Sequence, residues 1–126
     1  MNILLDTSFL SALHNEDDVY HGEATKQFLE ARGTQTIIPA IVMAEYLMGN
    51  VDGKHMMTVC KDLCGAFLPL TERELQEITR LPEKMQKGLK ANDCLILVYS
   101  SLHRADLYTF DQKLKKTYNE LQANFS

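Results

Sequence analysis

The chain has 126 residues, 45% of them hydrophobic and 24% charged, with a formal net charge of −4. At about 150 residues per domain this length predicts one domain spanning residues 1–126, with enough apolar surface for a core that needs no disulfide or structural metal. These values exclude intrinsic disorder, collagen-like repeats and coiled-coil rods, and no apolar run reaches the ~18 residues of a membrane span. The charge is unevenly placed. Residues 1–80 carry 6 Lys+Arg against 12 Asp+Glu, whereas residues 81–126 carry 7 against 5. The acidic balance gives no general case for nucleic-acid binding, but the basic excess of the last third leaves room for a local positive surface. The cysteines, Cys60, Cys64 and Cys94, are odd in number and contain no C-x-x-C pair. They predict neither a disulfide framework nor a four-cysteine zinc site, and place the protein in the cytoplasm. Asp6 interrupts the early apolar segment and no basic stretch precedes it, so a signal peptide is not expected.

In chain order, Asn2 to Asp6 reads as a short buried strand ending on an acid. Thr7 or Ser8 is expected to cap a helix through about Leu13. A second helix is predicted from about His21 to Arg32, with Ala24, Phe28, Leu29 and Ala31 on one side. Thr36–Ile38 is a strand candidate. Pro39 then precedes a helix from Ala40 to Met48 that stops at Gly49-Asn50, a favourable place for a residue without an N–H. That helix is apolar on nearly every side and is expected to be buried. A helix between Asp52 and Cys64 ends at Gly65, and Ala66–Leu68 is a third strand candidate. Thr71 and Glu74 have capping-box spacing ahead of a helix carrying Leu75, Ile78 and Leu81. Residues 83–91 are basic and ambiguous. Asn92 is expected to cap an apolar helix from Asp93 to His103. Leu107–Phe110 reads as the last strand, ending at Asp111, before a helix from about Gln112 to Tyr118. Strands alternating with helices predict an α/β fold: a central, mostly parallel sheet flanked by helices, with any ligand at the carboxyl ends of the strands.

Four acids stand out. Asp6 and Asp111 each follow a predicted strand, where either could simply cap the next helix. Glu45 lies in an apolar helix with no Lys or Arg within four positions. A buried carboxylate there needs a partner or a cation, the alternative being a narrow exposed stripe. Asp93 begins an apolar helix, where the helix dipole alone would favour it. Converging acids repel one another and call for a cation. An oxygen-only donor set suits Mg²⁺ or Mn²⁺. Zinc would ask for Cys or His. His55, Cys60 and Cys64 are close in sequence, but the two cysteines fall at core positions of their helix. The four histidines, His14, His21, His55 and His103, are scattered and expected at the surface.

The segments Ile3-Leu4-Leu5-Asp6-Thr7-Ser8, Pro39-Ala40-Ile41-Val42-Met43-Ala44-Glu45, Ala91-Asn92-Asp93-Cys94-Leu95-Ile96 and Ala105-Asp106-Leu107-Tyr108-Thr109-Phe110-Asp111 occur in this order. On these motifs the sequence resembles the PIN-domain nuclease family, and within it the VapC-type toxins. The resemblance implies a PIN-like fold with an acidic cluster of Asp6, Glu45, Asp93 and Asp111, and Mg²⁺- or Mn²⁺-dependent hydrolysis of single-stranded RNA. It implies Asp6 and Asp93 as principal metal ligands. Glu45 and Asp111 are left as further ligands or as a base, and Thr7 and Thr109 as supporting hydroxyls. Phe110 departs from the family, which often has a basic residue there. Lys84, Lys87, Lys90, Arg104, Lys113, Lys115 and Lys116 are candidate backbone contacts. The family also implies a homodimer and a small antitoxin, for which the apolar stretches 41–48 and 94–102 could supply interfaces if they are not core. Competing readings are a PIN-like nuclease of RNA maturation and a non-cleaving PIN-like module that binds RNA or a partner. A phosphoacceptor signalling domain is a third, disfavoured because Thr7 and Ser8, not a second acid, follow Asp6 and no late strand ends on Lys.

Overall fold

A computed structural model describes residues 2–49 and 51–125. The elements run β1 Asn2–Leu5, α1 Thr7–His14, α2 His21–Glu30, β2 Gln35–Ile37, α3 Ala40–Leu47, α4 Gly53–Cys64, α5 Glu72–Ile78, α6 Glu83–Gly88, α7 Ala91–Leu102, β3 Ala105–Tyr108 and α8 Gln112–Phe125. The strands form one sheet in the order β2-β1-β3, with both pairings parallel. The central strand is the one with an unbroken apolar run: Ile3, Leu4 and Leu5 are all buried, as a strand covered on both faces requires. Its register sets Leu4 against Ile37 on one side and Leu5 against Tyr108 on the other. The carboxyl ends of β1 and β3 are therefore level. Among the described residues, no helix is long and apolar enough to cross a membrane.

Helix α7 is the main core element, with every residue from Cys94 to Ser100 buried. Residues 94–100 of the stretch 94–102 thus feed the core. The hydroxyl of Ser100 donates to the Ala105 carbonyl and Asn2 Nδ2 donates to the His103 carbonyl, joining the turn after α7 to the sheet. Arg104 takes a φ of 49° in that turn. Gly65 ends α4 at a φ of 79°, a left-handed conformation that glycine adopts without steric cost.

Several sequence expectations are corrected. Asp6, not Thr7 or Ser8, is the N-cap of α1, because its carboxylate reaches back to the Phe9 N–H. Helix α7 begins at Ala91 after Lys90, so Asn92 lies inside the first turn and its side chain is used elsewhere. Strand β3 starts at Ala105 and ends at Tyr108, which leaves Thr109 and Phe110 beyond it. Residues 66–68 make only an isolated parallel bridge, Leu68 to Pro39, since Pro39 and Pro69 have no N–H with which to extend a ladder. In α5 it is Glu74 that is buried while Leu75 is exposed. The Thr71 hydroxyl donates to the Glu74 carboxylate, in place of the expected hydroxyl-to-backbone cap. Burial and Glu74 together push the Tyr99 hydroxyl up to about 12. Leu29 faces solvent, unlike Ala24. Of the histidines only His55 is exposed; His14, His21 and His103 are half-buried. Helix α8 runs past Tyr118 to Phe125. Asn50, expected with Gly49 to end α3, lies outside the described residues.

Candidate active site

The carboxyl ends of β1 and β3 make a tightly bonded corner. Asp6 is buried there, and its Oδ1 accepts from the Phe9 N–H at 2.9 Å and the Ser8 hydroxyl at 2.8 Å. Its Oδ2 accepts from the Thr109 hydroxyl at 2.5 Å. Ser8 Oγ also accepts from the Phe110 N–H, and Thr109 Oγ1 from the Asp111 N–H. Two hydroxyls thus clamp the segment after β3 onto the segment after β1. Thr109, one of the two expected supporting hydroxyls, bonds the Asp6 carboxylate. Ser8 matters equally, and the sequence reading missed it because its partners lie 101 and 102 residues away.

Asp111 is exposed and caps α8 through the Leu114 N–H, at 3.0 Å from Oδ1. Asp93 is half-buried in the first turn of α7. Glu45 is exposed on α3, so the expectation of a buried carboxylate is corrected. The helix buries Val42, Met43 and Tyr46 and turns Ala44, Glu45 and Met48 outward. Asn92 Nδ2 donates to Glu45 Oε2 at 3.3 Å, tying α7 to α3.

Glu45, Asp93 and Asp111 line one cavity of about 630 Å³. Lys87, Lys90 and Lys113 line it too; Lys90 and Lys113 act on Asp93, while Lys87 pairs with Glu83 at 2.7 Å and Lys113 also donates to the Gly88 carbonyl. Lys115 does not serve there: its ammonium donates to the Leu107 carbonyl and lies over the Tyr118 ring. Burial raises the Asp93 carboxyl above its ordinary value, and Asp111 and Glu45 raise it further, against Lys90 and Lys113. Asp6 is raised by burial despite its three hydrogen bonds, and Asp111 adds to the rise. Asp111 is therefore the electrostatic link between Asp6, which does not line the cavity, and Asp93, which does. A second cavity of about 530 Å³ shares Glu45 with the first and includes Thr7. Thr7 Oγ1 is buried and has no hydrogen-bond partner among the described residues.

The donors fit a hard divalent cation. The first cavity's side-chain ligands are carboxylates, with no Cys or His among its lining residues. The orphan hydroxyl of Thr7 also lacks a partner that a water or ligand would provide. Among the described residues no three His, Cys, Asp or Glu side chains draw together into a ready metal cage. Mg²⁺ does not require one, because it keeps several waters and is usually held through one or two carboxylates.

The parallel three-stranded sheet flanked by helices is a PIN-like fold, matching that of a solved VapC toxin. One solved structure with this fold is VapC20 of Mycobacterium tuberculosis, described as a toxin that cleaves the sarcin-ricin loop. The TM-score is 0.65 at 18% identity, over 91% of this chain and 94% of that one. No protein-family model matches the chain, and no curated protein matches it in sequence.

Proposed function

We propose that this chain is a divalent-metal-dependent endoribonuclease of the VapC type, acting as one PIN-like domain on single-stranded RNA in the cytoplasm. The observation that carries this reading is the first cavity. Carboxylates from three separate elements, Glu45, Asp93 and Asp111, face one space rimmed by three lysines. The lysines attract a phosphodiester, and the acids would otherwise repel it. The likeness of fold to a sarcin-ricin loop cleaving toxin supports the same reading.

Asp93 would hold Mg²⁺ or Mn²⁺ in this cavity with Glu45 or Asp111, and Asp6, which lies outside its lining, would join them at the edge next to Asp111. A carboxylate has about four acceptor sites, so the three bonds to Asp6 leave one for a cation. When bound, the ion supplies charge for the phosphate and acidifies a water. Lys87, Lys90 and Lys113 orient the strand. Glu45 lines both cavities and its Oε1 receives no hydrogen bond among the described residues, which supports a role as the base that takes a proton from the attacking water. Ser8 and Thr109 keep the two segments in register. The implied partners are a small antitoxin that blocks the site and a second copy of the chain.

Protein freed of any co-purified antitoxin should cut single-stranded RNA with Mg²⁺ or Mn²⁺ and stop with EDTA. Asp93→Asn and Asp6→Asn should each lose nearly all cleavage while remaining folded. Cleavage at an unchanged rate in EDTA would overturn the mechanism. A variant keeping about a tenth of wild-type turnover, a loss of only ~1.4 kcal/mol, would remove that residue from the principal ligands.

A further inference from the structure

Beside the acids the protein builds a stack of three aromatic rings. Phe9, fully buried in α1, lies 5.5 Å from Phe110 with the ring planes 2° apart. Phe110 in turn lies 4.6 Å from Tyr20 with the planes 9° apart. The stack is rooted in the core at one end, and at the other Tyr20 is 42% exposed. Tyr20 is held by a local turn in which its N–H donates to Asp18 Oδ1 at 2.8 Å. Tyr20, Phe110 and Asp111 line one cavity of about 490 Å³, and Asp111 also lines the acidic cavity. Aromatic stack and acidic site are thus adjoining parts of one surface. Phe110 is the middle ring, covered by Phe9 and by Tyr20, so the partly exposed end of the stack is Tyr20.

We propose that the Tyr20–Phe110 stack is a base-binding subsite, on which an unpaired nucleobase flanking the cleaved phosphate stacks. This rests on the ribonuclease reading above. Every base has a π-face, and stacking on an exposed ring is a general device for holding single strands. A rigid stack pays little entropy on binding, because Phe110 and the Asp18 turn already fix the Tyr20 ring. The larger π-surface of purines ranks them above pyrimidines at this position, and an abasic nucleotide below both.

The test uses the full chain, single-stranded oligoribonucleotides carrying a fluorescent purine analogue at successive positions, and two substitutions. Tyr20→Phe keeps the ring; Tyr20→Leu keeps an apolar cover over Phe110 but removes the π-face. The chain has no Trp to obscure the fluorescence. In the Asp93→Asn background, binding should quench the analogue at one position, Tyr20→Phe should preserve the quench and Tyr20→Leu should abolish it. In otherwise wild-type protein, Tyr20→Leu should raise KM by about tenfold, within the range of a lost base stack, and leave kcat nearly unchanged. Wild-type KM together with persistent quenching in Tyr20→Leu would overturn the subsite and leave the nuclease reading standing. Unchanged RNA binding but weakened binding of a partner protein would also overturn it, assigning the rings to a protein interface. No cleavage by wild type, with the quench still present, would overturn the nuclease reading and support the subsite on a non-cleaving RNA binder. Neither cleavage nor RNA binding would overturn both.

Discussion

Replacing Asp6 with Asn and with Ala separates the two jobs its carboxylate performs. Both substitutions remove the buried charge, so the desolvation cost cancels when the two variants are compared. What differs is hydrogen bonding. Asn is as good an N-cap as Asp, so its carbonyl keeps the bonds from the Phe9 N–H and the Ser8 hydroxyl. Its amide donates to Thr109 Oγ1, which turns its own proton to Ser8 Oγ, 3.1 Å away. Ala loses a cap worth about 1 kcal/mol. It also strands one of the Ser8 and Thr109 hydroxyls, the other donating across their 3.1 Å contact, at about 0.5–1.5 kcal/mol. Asp6→Ala should therefore be less stable than Asp6→Asn by about 1.5–2.5 kcal/mol. For a chain of this size that is roughly 5–10 °C in Tm. The pH dependence has a definite sign. The folded carboxyl is raised above its ordinary value, so the folded state binds more protons, and stability is lost as pH rises through the folded pKa. Asp6→Asn escapes that loss and should equal or exceed wild type in stability at neutral pH without metal. Melting curves of the three proteins with EDTA, from acidic to neutral pH, check this. Equal Tm values for the Asn and Ala variants would refute the claim that Asp6 organises the corner through its oxygens. Millimolar Mg²⁺ should then raise the Tm of wild type and shift Asp6→Asn much less, because a ligand of the native state stabilises by mass action.

Thr7→Val removes a buried hydroxyl without a partner and should raise stability by about 1 kcal/mol while lowering cleavage; a stabilised variant with full activity would take Thr7 out of the site. Asp111 is a like-charge neighbour of both Asp6 and Asp93, so Asp111→Asn, which preserves the α8 cap, should lower both of their pKa values in an NMR titration; a pair of unmoved resonances would break the proposed link. Cleavage by wild type should fall as pH drops through the raised Asp93 pKa, because a protonated carboxyl no longer attracts a cation, and in Asp111→Asn the fall should come at lower pH.

Much of this arrangement was legible in the chain because the signals are local. The unbroken apolar run before Asp6 marked the central strand, and the run after Asp93 marked the helix that fills the core. Alternation of strands and helices implied a parallel sheet, and parallel strands bring residues after their carboxyl ends to one edge. That rule drew attention to Asp6 and Asp111, and an acid in an apolar helix drew it to Glu45 and Asp93; Glu45, Asp93 and Asp111 line one cavity. What the chain concealed depends on contacts between distant segments. In α3 the buried face is carried by Val42, Met43 and Tyr46, and only packing shows that Glu45 points the other way, because its apolar neighbours hide the stripe. Asn92 looked like a cap by its residue type, yet its amide is spent on Glu45, 47 positions earlier. Ser8, Thr109, Phe110 and Tyr20 each carry ordinary local signals. The register of β1 with β3 and the fold of the α1–α2 segment against them turn those residues into a clamp and a ring stack. Periodicity reports which face of an element is apolar, and tertiary packing decides which distant polar or aromatic group that face meets.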